Sequence, residues 1–164
     1  MEKDNKDATK RGKPDLSATG IVRLATERLT LFHTPGREAF ASICVKDHRE
    51  TYRVKSPVFE EWLSAMCYHQ YGVAPSQNAI AAARSALAGD ALFASVEKQV
   101  YVRVAGHDEA IYVDLANDSW ESVKITGEGW EVVPHTPVRF WRPPGMQALQ
   151  RPKKGDRFQP CAHF

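Results

Sequence analysis

The sequence predicts an α+β domain: a short N-terminal helix, a β-hairpin, a helix-turn-helix-like pair, then an antiparallel sheet of several short strands. Three observations carry this. Apolar residues recur at helical spacing in three stretches, 19–31, 56–71 and 76–89. Ser56-Pro57 and Ser76 are N-cap signals that open the second and third of them. From Gln99 onward the pattern becomes the alternation of strands, punctuated by turn residues. A helix pair followed by a hairpin is also the layout of a winged helix, with 76–89 as recognition helix and 99–115 as wing.

Residues 1–17 mix both charge signs with Gly12 and Pro14 and have little to bury, so they read as a disordered arm. Ile21, Leu24, Ala25 and Leu29 form the stripe of the first helix, which "HTPGRE" (33–38) breaks. "AFASICV" (39–45) and "ETYRVK" (50–55) are β-prone and joined by the polar "KDHR". In the next helix Glu60 and Glu61 stand near the positive N-terminal end, Phe59, Trp62, Leu63 and Met66 face inward, and Gly72 is the stop. Ile80, Ala83 and Leu87 make the stripe of the third helix, as far as Gly89. In "QVYVRVAGHDEAIYVDL" (99–115) Val100, Val102 and Val104 alternate with Tyr101 and Arg103, and Ile111, Val113 and Leu115 with Tyr112 and Asp114. Strands follow at 122–126 and 130–134 around Gly127-Glu128-Gly129, with a last edge at 138–141. The domain spans 18–142, and 143–164 is a Pro-rich basic tail.

Composition narrows the function classes. Of 164 residues 43% are hydrophobic and 26% charged, with a net charge of +2, so bulk charge announces no polyanionic partner. No apolar run approaches the roughly 20 residues of a membrane helix, and the charged N-terminus lacks the apolar core of a signal peptide. No membrane partner and a cytoplasmic location are the expectation. Cys44, Cys67 and Cys161 are odd in number and scattered, which fits a reducing compartment. Cys67-Tyr68-His69 and Cys161-Ala162-His163 are both C-x-H, without the C-x2–4-C or H-x3–5-H knuckles of structural zinc sites.

Motifs for chemistry are few. The chain has no G-x4-G-K-[ST] loop, no G-x-G-x-x-G and no G-x-S-x-G elbow. His107, Asp108 and Glu109 are neighbours in one turn, where successive side chains diverge, and "KDHR" (46–49) reads as a solvated turn in the same way. Cys67 lies at the edge of a helix stripe, and His69 in the last turn interacts favourably with the helix C-terminus. No catalytic residue, metal ligand or cofactor is assigned. The third helix offers Gln77, Asn78, Arg84 and Ser85 among alanines, a weak recognition surface.

The last third holds the electrostatic signal. Arg139, Arg142, Arg151, Lys153, Lys154 and Arg157 face only Asp156, with Phe140 and Trp141 among them. Cations interleaved with aromatics suit a phosphate backbone and unstacked bases. The candidate nucleic-acid contacts are therefore Arg84, Arg103, Arg139, Trp141, Arg142, Arg151, Lys153 and Lys154.

Several phrases together resemble a known group: "LFHTPGREAFASI", "HRETYRVKSPVFEEWL", "VYVRVAGHDEAIYVDL", "ESVKITGEGWEVV" and "PVRFWRPPGMQALQRPKKG". Over about residues 20–155 the chain resembles the segment preceding the P-loop ATPase domain in primase-helicase-like replication ATPases of phages and integrative elements. The resemblance implies a non-catalytic, nucleic-acid-binding or accessory module of a mobile-genetic-element replication protein, cut before its ATPase. DNA, single- or double-stranded, is the partner it implies. An alternative from another class is a protein-protein interaction module, an inhibitor of a host or mobile-element protein, that binds no nucleic acid. Near-neutral charge and the aromatics Tyr101, Tyr112 and Trp141, read as exposed, favour that alternative. An enzyme ranks third, because it needs partners for His107, Asp108 and Glu109, or for Cys67 and His69, that the sequence does not reveal.

Overall fold

Ser17 caps α1 (Ala18–Thr26) by accepting the Gly20 N–H, and Ile21, Leu24 and Ala25 bury one face. The helix ends before the predicted Leu31. Leu29 and Leu31 belong instead to strand β1 (Leu29–His33), paired antiparallel with β2 (Ala39–Val45) so that Leu29 faces Ile43 and His33 faces Ala39. Residues two apart share a face of a strand but diverge on a helix, so the strand turns both leucines to the core. The structure, a computed structural model, describes residues 14–46 and 48–153. The predicted arm lies largely outside the described residues, as do Lys154, Arg157 and the Cys161/His163 pair.

β3 (His48–Arg53) completes a three-stranded sheet in the order β1-β2-β3. One face of that sheet, with Leu31, Ala41 and Ile43, packs on the three helices. α2 (Pro57–Tyr71) starts at Ser56, whose hydroxyl accepts the Phe59 N–H, and stops at Gly72 in the left-handed conformation (φ 72°) that glycine adopts without strain. α3 (Gln77–Phe93) starts at Ser76 and continues past Gly89, because Ala88 and Ala91 prolong the stripe of Ile80, Ala83 and Leu87. It packs on α1, α2, β1 and β2.

The second sheet is a four-stranded antiparallel meander, β4 (Val104–His107), β5 (Ala110–Asp114), β6 (Ser122–Thr126) and β7 (Gly129–Val133). The α+β class is therefore as read, and the hairpin is the first half of this sheet rather than a separate two-stranded wing. It begins at Val104, not Gln99. Tyr101 instead forms a parallel bridge with Phe140, donating to the Arg139 carbonyl at 2.9 Å and accepting from the Trp141 N–H at 2.8 Å. The segment predicted as an edge strand is thus used there.

The buried face of the hairpin is the opposite of the one its hydrophobicity implies. Ala105, Ala110 and Tyr112 pack with Phe140 in a second core, whereas Val104 and Ile111 are 55% and 49% exposed. Asp114 decides the orientation. It is fully buried because Arg142 reaches it with two hydrogen bonds, at 2.9 and 2.7 Å. A strand whose carboxylate is neutralised inside turns its valines outward.

Candidate anion-binding cleft

The cations and aromatics of the last third are largely engaged with one another. Arg142 pairs with Asp114, donates to the Asn117 carbonyl at 2.6 Å and lies 3.8 Å from the Trp120 ring. Trp120 also stacks on His48 and meets Tyr52 edge-on, both from β3, so this cluster joins the two sheets. Trp141 lies under the Arg53 guanidinium at 3.9 Å and against Phe40. Arg103 donates to the carbonyls of Asp114 and Gln147, at 3.1 and 2.8 Å. Arg84 is ion-paired with Glu60 across α2 and α3. The exposed face of α3 then carries Gln77, Asn78, Ser85 and Asp90 but no cation, an unfavourable surface for a DNA groove. Arg151 reaches Glu121 at 3.3 Å, and Lys153 is exposed. Tyr112 is buried, against the reading of it as exposed, and Tyr101 and Trp141 are half-buried.

Arg139 is different. Its guanidinium lies over Phe32 at 5.3 Å, and its Nε is buried without a hydrogen-bond partner. It stands in a cleft of about 430 Å³ between the two sheets, beside Cys44, Lys46, Arg49, Thr51 and His135. Strand register explains the floor. Phe32, Phe40 and Arg53 form one row across β1, β2 and β3, Thr30, Ser42 and Thr51 the next, and Cys44 with Arg49 a third, all on the face away from the helices. Hydroxyls therefore lie between the guanidinium over Phe32 and the one at Arg49. Ser42 and Thr51 are buried, and Ser42 Oγ has no partner.

The cleft is electropositive. Burial, and then the neighbouring Arg49, hold the Arg139 guanidinium below its ordinary value. Burial, Arg139 and Arg49 do the same for the Lys98 ammonium. Among the described residues, Asp114 is engaged by Arg142, and Glu50 by His48 at 2.7 Å and by Tyr52. Among the described residues Lys46, Arg49, Lys98 and Arg139 make no ion pair. Converging like charges with unpaired donors are the electrostatic arrangement that favours an anion.

Of the residues singled out in the sequence, only Arg139 lies in this cleft. Lys46 and Arg49 also line it and carry no mark in the sequence, because "KDHR" reads locally as a solvated turn. Their convergence with Arg139 depends on pairing between segments far apart in the chain, which leaves no local signal. Cys67 is fully buried, with its thiol pushed up by burial, while His69 is exposed, so the two do not form a pair. His107 faces Asp108 at 3.5 Å at the tip of the β4–β5 turn. Comparison with models of protein families, with curated proteins and with solved structures finds no match.

Proposed function

We propose that this is a non-catalytic module that binds a single strand of nucleic acid by its phosphates, in the cleft between the two sheets. The observation that carries the proposal is that Lys46, Arg49 and Arg139 line one cleft and none of them is ion-paired among the described residues. A concave site admits a strand, whereas reading a duplex requires an element that protrudes into a groove. Both tryptophans near the cleft are covered by guanidinium groups, Trp120 by Arg142 and Trp141 by Arg53. Binding is therefore by phosphate rather than by base stacking, and tolerant of sequence. The resemblance to a segment that precedes an ATPase acting on DNA supports the same reading.

The test is fluorescence anisotropy of labelled single- and double-stranded oligonucleotides. Three to four phosphates held in the cleft give a log–log salt slope of roughly −2 to −3 for a single strand, or roughly 20- to 50-fold weaker binding from 50 to 200 mM salt. Absence of single-strand binding at low salt rejects the proposal.

A further inference from the structure

The cleft between the sheets is closed at the side away from the β2–β3 turn. The row of Phe32, Phe40 and Arg53, which crosses all three strands of the first sheet, is covered along its length by residues 139–141. Arg139 lies over Phe32 at 5.3 Å, Trp141 meets Phe40 edge-on, and Arg53 lies over the Trp141 ring at 3.9 Å. Along β3, Trp120 joins the sheets by stacking on His48 and meeting Tyr52. The turn side holds Lys46 and Arg49, both exposed. A strand that enters from the turn therefore runs against a closed end. The volume, about 430 Å³, is at the small end of the roughly 300–1,000 Å³ that encloses one small ligand. Such a space encloses the last nucleotide of a strand, not a run of them.

Polar groups line the floor. Thr51 and Ser122, one from each sheet, are 2% and 1% exposed, and both line the cleft. Arg139 lines it as well, with its Nε buried and without a hydrogen-bond partner. A buried donor in that condition costs stability, and a ligand oxygen supplies what it lacks. Asp114 is also in the lining, with both carboxylate oxygens held by Arg142 and its charge matched there.

We propose that the cleft holds a strand by its end, through a terminal phosphate. The proposal rests on the reading of the cleft as a single-strand site and names which part of the strand enters it. A terminal phosphate is a monoester with a charge of roughly −1.5 to −2 and three acceptor oxygens. An internal diester has less of both. The monoester has enough oxygens to accept from Arg139 and from both hydroxyls of the floor. The strand then leaves past Arg49 and Lys46, whose exposed cations take the phosphates that follow. The chemistry is the same at a 5′ or a 3′ end, and the test tells the two apart.

Fluorescence anisotropy at low salt compares one internally labelled sequence in three forms: with a 5′-phosphate, with a 3′-phosphate, and with hydroxyls at both ends. One of the phosphorylated forms should bind about tenfold more tightly than the hydroxyl form, the effect of one further hydrogen bond to a charged group. Thr51→Val and, separately, Ser122→Ala should each cut that ratio to about threefold or less. The ratio is taken within each variant, so a general loss of affinity does not imitate the effect, and two substitutions keep the test decisive if one disturbs folding. Equal binding of all three forms overturns the inference and leaves the single-strand reading standing. Binding of none of them rejects both. A ratio that survives both substitutions also overturns the inference, because the phosphate then lies away from this floor.

Discussion

Replacing Arg142 by alanine separates a structural role for the basic segment from a ligand-binding one. Arg142 and Asp114 are 14% and 1% exposed, and two of the guanidinium nitrogens grip the carboxylate. In Arg142→Ala the carboxylate stays in the core with only the Ala116 N–H, at 3.1 Å, donating to it. Removing one partner of a buried pair costs about 3–5 kcal/mol. Losing the cation over Trp120 adds about 0.5–1 kcal/mol. That sum is a large part of the 5–15 kcal/mol typical of a whole domain. Urea unfolding, with unchanged m-value, should show the loss directly. The double variant Asp114→Leu/Arg142→Leu should lie closer to wild type, because the charge leaves with its partner. A loss below about 1 kcal/mol in Arg142→Ala would refute this reasoning and return Arg142 to the set of side chains open to a ligand.

Further outcomes follow from the same geometry. Lys98 has its charged form disfavoured in the folded protein by burial and by Arg139 and Arg49. A cation depressed on folding destabilises fully below its folded value, and the penalty disappears as pH rises through that value toward the unfolded one. Lys98→Met should therefore raise the melting temperature at neutral pH while weakening oligonucleotide binding, with the thermal gain shrinking in alkaline buffer. Ser56→Ala removes the hydroxyl that accepts the Phe59 N–H and should cost about 1 kcal/mol in urea unfolding. A thiol reagent followed by peptide mapping should modify exposed Cys44 quickly and buried Cys67 only on unfolding, and a bound oligonucleotide should protect Cys44.

Local signals made the helices legible. Ser56, Ser76 and Gly72 act at the chain positions they occupy, so caps and stops are visible without tertiary information. Leu29 and Leu31 were ambiguous because their place was settled by pairing with β2, which no local window contains. The inverted face of β5 was illegible for a sharper reason. Alternation says that two faces differ, but the buried one is chosen by Asp114 meeting Arg142, 28 residues away in sequence. The clustered cations and aromatics were visible as a composition, and composition does not distinguish pairs made with a ligand from pairs made within the fold. Arg142 with Trp120 and Arg53 with Trp141 are of the second kind. The cleft residues Arg49 and Arg139 come together only through the fold, and nothing in their neighbours' identity marks them.

The most direct measurement compares two sets of substitutions in one anisotropy titration with a single-stranded oligonucleotide at low salt. One set is Lys46→Ala/Arg49→Ala in the cleft, and the other is Lys153→Ala/Lys154→Ala in the C-terminal segment. The expected result is that the cleft variant loses at least tenfold in affinity and flattens the salt slope by about 1–2, while the C-terminal variant changes little. Binding that survives in the cleft variant and vanishes in the C-terminal one would contradict the account, and would assign the ligand to the basic segment that the sequence first brought forward.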